Sequence, residues 1–288
     1  MEENAFQFAW FRPAGQDGSG REVVAPEPLA ASLWRSDQMH GVAVAGLLAR
    51  GVEQRLADAG RGDVVPARWH VDLFRPAGMV ASRVEVQVLR EGPRLVLLEA
   101  RLLQDDVLVA RAGATFLRPS ADPAGRVWPV GDPDREPGPE VPAIARPAGE
   151  HHVPMFTSRE PWSESFGEHQ NDGRHATWQT GVPIVVGEEC SPFAAAASIA
   201  DATSMVTNWG DRGVEHINTD VDLALTRAPR TTSLGLRSLT HLRQDGVAVG
   251  SAEVFDADGV FGIATVTALV NTRRTVDLSG PNPDGPGA

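Results

Sequence analysis

The chain has no tyrosine and a single cysteine, Cys190. One thiol closes no disulfide within the chain and forms no CxxC metal pair, and it predicts a reducing, cytoplasmic setting. Cys190 stands just before a helix start, where a thiolate is favoured. No histidine is near it in sequence, and it reads as structural. No apolar run approaches the roughly 20 residues that span a bilayer. The opening stretch MEENAFQFAWFRP is acidic and lacks the apolar segment of a secretory leader. Positive charge is also scarce. With 26 basic against 38 acidic residues, the formal net charge is −12 and the pI is near 5.1. That balance speaks against a nucleic-acid surface, which needs clustered cations, and against docking on anionic lipid. The expectation is a soluble protein with no nucleic-acid partner and no membrane. The basic residues are arginines, a bias that fits a GC-rich genome rather than a chemical need.

What is present is enough apolar material for a core. Of 288 residues 42% are hydrophobic, with seven Trp and ten Phe, which suits one large domain or two small ones. The stretch Ser191 to Gly210, SPFAAAASIADATSMVTNWG, reads as one helix, opened by Ser191 and Pro192 and closed by Asn208 and Gly210. Its alanines let it lie close against a curved sheet. Asp201 interrupts the apolar run. An unpaired buried carboxylate is costly, so Asp201 either faces water or is held by hydrogen bonds. Both readings stay open from the helix alone.

The rest of the chain is arranged twice around such a helix. Residues 1 to 36 read as edge strands and turns. A helix follows from Asp37 to Gly60, with Val42, Leu47, Leu48, Val52 and Leu56 at helical spacing. Strand-like runs come next, turning at Glu91-Gly92-Pro93 and Gln104-Asp105-Asp106. Pro119 to Pro161 is rich in Pro, Gly and Asp and reads as a connection between halves. It contains an isolated His151-His152 pair, read as plain surface. Beyond it the order repeats: helix, strand, strand, turn, strand, turn, strand. Val71-Asp72-Leu73 matches Val221-Asp222-Leu223, and Gln104-Asp105-Asp106-Val107 matches Ala257-Asp258-Gly259-Val260.

A lone half would be a curved antiparallel sheet around one helix, with edge strands in need of partners. Two halves pairing edge to edge give an α+β double hot-dog: a continuous curved antiparallel sheet around two long helices. The expected units are residues 1–118 and 162–274, joined by 119–161, with a disordered tail from 275 to 288.

Carried by HGVAVAGLLARGVE, VDLFRPAG, ASIADATS, INTDVDLALTRAP and DADGVFGIATVTALV, the chain resembles the acyl-CoA thioesterase II family and its double hot-dog relatives. The resemblance covers most of residues 30–120 and 175–271. It implies hydrolysis of acyl-CoA thioesters by a trapped water, with no cofactor, no metal and a homo-oligomeric state. In that family an Asp on the second-half helix, a polar residue on the next strand and a Gln on the last strand hold the water. Here they fall on Asp201, on Asn218 or Thr219, and on Thr267. Threonine in place of Gln is a departure, since a hydroxyl is shorter than an amide. Asp201 then serves as general base, and backbone N–H groups near Met39-His40-Gly41 stabilise the oxyanion. His40, Gly41 and Arg227 are the expected substrate-binding residues, with Arg230, Arg273 and Arg274 completing a cluster for the CoA phosphates. Two rivals remain. The lost Gln motivates a non-catalytic acyl-binding or scaffolding protein. Asp37 and His40 motivate an (R)-specific enoyl-CoA hydratase, although their spacing of three is short for it.

Overall fold

The computed structural model describes residues 8–125, 140–142 and 153–280. The His151-His152 pair lies outside them. One long helix, α1 (Gly41–Asp58), packs its apolar stripe of Val44, Leu47, Leu48 and Val52 into the core, all at most 2% exposed. It ends where Gly60 takes φ +67°, a conformation that costs glycine nothing, and Arg61 N–H reaches back to the Leu56 carbonyl.

Eleven strands form one sheet: β1 (Val65–Asp72), β2 (Arg83–Glu91), β3 (Leu95–Gln104), β4 (Val107–Leu117), β5 (Met155–Thr157), β6 (Ala176–Thr180), β7 (His216–Asn218), β8 (Asp220–Leu225), β9 (Ser233–Gln244), β10 (Val247–Asp256) and β11 (Gly259–Val270). Their order is β2-β3-β4-β1-β8-β11-β10-β9-β6-β5, with β7 also on β11. Every neighbouring pair is antiparallel. The halves meet at β1 and β8, where Val71 pairs with Val221, Asp72 with Asp220 and His70 with Asp222. Of the residues matched between the repeats, Val71 and Val221 therefore face each other across the seam, and the first four strands outward follow the same order in both halves, the second half adding β6 and β5. This is the continuous sheet that two halves with unpaired edges require.

The second helical element departs from the sequence reading. Ser191 caps it as expected, its Oγ accepting the Ala194 N–H at 2.9 Å with Pro192 in the first turn. It is not one long helix, however. Helix α2 (Phe166–His169) comes earlier, and Ser191 opens α3 (Pro192–Ile199). A tighter 3₁₀ turn (Ala200–Ala202) then leads into α4 (Thr203–Asn208), with Trp209 extended beyond it. Asp201 occupies the middle of that tight turn.

Two segments expected to lie outside the fold belong to it. Met155–Thr157, within the expected connection, pairs with Ala176–Trp178. Val276 exchanges backbone hydrogen bonds with Val214, and Leu278 is 3% exposed within the expected tail. Phe156, Phe166, Trp209, Val214 and Leu278 form an apolar cluster of their own. Aromatic and aliphatic residues widely spaced in a Pro-rich background carry no periodicity, which is why the sequence pattern passes over them.

Candidate active site

Asp201 lines a cavity of about 250 Å³, walled mostly by apolar side chains such as Trp34, Phe156, Val182, Ile199 and Leu278. The cavity brings His40 and Asn218 to the same place. Asn218 Nδ2 donates to Asp201 Oδ1 at 2.8 Å, and the Val42 N–H also donates to the carboxylate. The carboxylate of the second half thus sits on the N-terminal turn of the first-half helix, where the unpaired N–H groups and the helix dipole favour an anion. Ser198 Oγ donates to the Val42 carbonyl at 2.7 Å and fixes the two helices there. Gly41 is the residue of closest approach. A Cβ at this position would lie 2.6 Å from Asp201 Cγ.

Burial dominates the electrostatics of Asp201. Enclosure by apolar groups pushes its pKa up to about 6, against the opposing hydrogen bonds from Asn218 and Val42. His40 is enclosed too. Its pKa is pushed down to about 4 by burial, so it is neutral at neutral pH. Its Nε2 lies 3.2 Å from the Leu29 carbonyl, so Nε2 carries the proton. The Trp10 ring meets it edge to face, with centroids 4.9 Å apart.

Other expected site residues lie elsewhere. Thr219 sits at the bend between β7 and β8 and is not among the residues lining the cavity. Its Oγ lies 3.0 Å from Asp220 Oδ2 and 3.2 Å from the Thr267 carbonyl. Thr267 points outward. On β11 the buried face is Ala264, Val266 and Ala268, and Asn218 pairs across from Ala268. No polar side chain of the last strand therefore stands beside Asn218. The count that reached Thr267 misses the alternation by one residue. Arg227 lies beyond the far end of β8. It makes a two-pronged ion pair with Asp256, at 2.7 and 2.5 Å, and covers the Phe261 ring. That holds the Asp256 carboxyl, 3% exposed, below the usual carboxylate range despite burial. Arg230 pairs with Asp258 at 3.0 Å. Asp37, the acid of the hydratase reading, is exposed and held by Arg35 at 2.7 Å. His40 and Asp37 form no dyad.

The sequence reading missed Gln179 on β6, which lines the cavity. The signal was present in HATWQTG. Thr177 and Gln179 alternate onto the face that Leu234 and Leu236 bury on β9.

The profile of the acyl-CoA thioesterase C-terminal domain matches residues 124–270, just over half of the chain, and that of the N-terminal domain matches residues 30–117. The chain belongs to the acyl-CoA thioesterase family. Membership supports thioester hydrolysis as its activity, and the hot-dog fold agrees with it. A hot-dog protein of unknown function from Alicyclobacillus acidocaldarius is similar over 88% of this chain and 94% of its own, at 18% identity and TM-score 0.59. An acyl-CoA thioesterase II from Mycobacterium marinum is similar over 94% and 96%, at 15% identity and TM-score 0.52. A search of curated proteins returns no match. Among the described residues, this thioesterase has no helix long and apolar enough to cross a membrane.

Proposed function

We propose that the chain hydrolyses acyl-CoA thioesters with a water activated by Asp201. The observation that carries this reading is the enclosed carboxylate itself, in an apolar cavity, on the first turn of α1, with one oxygen already bonded to Asn218. A base with a pKa near 6 is ionised at neutral pH and stronger than an ordinary carboxylate. The water oxygen attacks the thioester carbonyl carbon while its proton passes to Asp201. The C–S bond then breaks, the sulfur leaves with the electron pair, and the proton returns from Asp201 to the thiolate or to solvent. The first N–H of α1, at Gly41, has no helical acceptor and serves the developing oxyanion.

The apolar wall suits an acyl chain. For the CoA phosphates, Arg273 and Arg274 are exposed on a 3₁₀ turn just before Val276, which lines the cavity. They take this role in place of Arg227 and Arg230, which are paired with Asp256 and Asp258. The division proposed is 1–118 and 162–274 about the 119–161 connection, from which β5 joins the sheet through β6.

The test is turnover of a panel of short, medium and long acyl-CoAs, read as free thiol. Release of CoA that disappears in Asp201→Asn supports the reading. Saturable acyl-CoA binding with no release from the wild type overturns it in favour of an acyl-binding scaffold, the reading that Ala268 beside Asn218 favours.

A further inference from the structure

We infer that Gln179 supplies the second anchor for the attacking water, in the place that the last strand leaves empty. The inference rests on the Asp201 mechanism and adds a residue to it.

Strand β6 runs antiparallel to the α3–α4 segment, and two contacts fix the alignment. At one end a Cβ on Gly181 would lie 3.2 Å from Ala195 Cα. At the other, the His175 ring stacks on Trp209 with centroids 4.9 Å apart. From 181 back to 175 an extended chain covers about 20 Å. From 195 to 209 a helix covers about 21 Å. The two run in step, so Gln179, a third of the way along, stands level with about residue 200. Gln179 also pairs with Leu234, which is fully buried, so its side chain points inward, and both it and Asp201 line the same cavity.

The amide is oriented by its own strand. Thr177 Oγ donates to the Met155 carbonyl at 3.0 Å, so that hydroxyl has only a lone pair to offer Gln179. Gln179 Nε2 lies 3.2 Å from it and must be the donor. The Oε1 is then turned away from Thr177 and has no donor among the described residues. A water between Asp201 and a thioester has two protons to place. One goes to the Asp201 carboxylate, the other to Gln179 Oε1, and a lone pair is left for the carbonyl carbon. Asn218 faces Asp201 with its amide nitrogen, which donates to Asp201 Oδ1 at 2.8 Å and lies 3.4 Å from the Asp220 carbonyl.

Two variants test it on the full chain. Gln179→Met keeps the bulk and removes the acceptor, and should lower kcat roughly 10- to 100-fold with KM and melting temperature little changed. Gln179→Glu places a like charge beside Asp201 and should move the rising limb of kcat/KM against pH to higher pH. A glutamine remote from Asp201 would leave that limb in place. Wild-type kcat in Gln179→Met, or a change in KM alone, overturns the inference. Should Gln179→Met not fold, an unmoved limb in Gln179→Glu overturns it instead. The parent mechanism fails separately, by turnover surviving in Asp201→Asn. An inactive Asp201→Asn beside a fully active Gln179→Met sinks only the role of Gln179.

Discussion

Gly41 and Asp201 occupy each other's space: the carboxylate of the second half stands where a side chain on the first residue of α1 would be. A Cβ there would lie 2.6 Å from each of two Asp201 carboxylate atoms. The position of this carboxylate is thus set by contact between the halves. Gly41→Ala is expected to push Asp201 off the helix terminus, destabilise the fold by about 1–3 kcal/mol and lower kcat together with it. Thermal unfolding and turnover measured on the same preparation check this. Unchanged values in both would mean that the carboxylate moves freely.

Asp201→Asn should abolish most turnover, by about 100-fold or more if the carboxylate is the general base. It should also stabilise the protein. The folded pKa of about 6 lies above the unfolded value of 3.8, so the native state binds its proton more tightly. Ionisation of this group therefore weakens the fold as pH rises from about 4 to 6, and the cost is fully present above 6. The Asn variant escapes it. Its advantage should be up to about 3 kcal/mol at pH 7 and vanish toward pH 4. Denaturant melts at the two pH values test the sign.

The same pKa sets the activity profile. The log of kcat/KM should rise with pH up to about 6 and level off above it. Asn218→Ala removes a hydrogen bond that favours the ionised form, so the limb should shift to higher pH and the rate at pH 6 should fall more than the rate at pH 8. A limb that stays in place would separate Asn218 from the titrating group.

Arg227→Ala should leave KM for acyl-CoA unchanged, because its guanidinium is committed to Asp256 away from the cavity. It should cost about 3–5 kcal/mol in stability, since Asp256 is left buried without its partner. A raised KM in a protein of normal stability would return Arg227 to the CoA site.

Arg273→Ala with Arg274→Ala should raise KM for acyl-CoA several-fold, most at low salt, with kcat kept. The effect should be absent for a short thioester without the nucleotide. Equal KM values for both substrates would place the phosphates elsewhere.

The sequence by itself determined the two-fold architecture and singled out Asp201 as the candidate acid. Repeated strand patterns with unpaired edges admit few arrangements, and β1 meets β8 in the register that matched Val71 to Val221. Ser191, Pro192 and Gly60 mark their helix ends through local chemistry, which a sequence displays directly. Asp201 stood out as a charge among alanines. Its burial did not, because whether it faces water depends on α1, which lies some 150 residues away. Tertiary structure alone decided the partners. Asn218 enters the cavity while Thr219 bonds to Asp220 and the Thr267 carbonyl, and a register known only to within one residue leaves that choice open. Ala268 faces Asn218, while Gln179 arrives from a strand that pattern matching had no cause to connect with the acid. Phe156 and Leu278 wall the cavity from segments without periodicity. Local chemistry fixes where elements begin and end. Only the packed sheet fixes which side chains share a cavity.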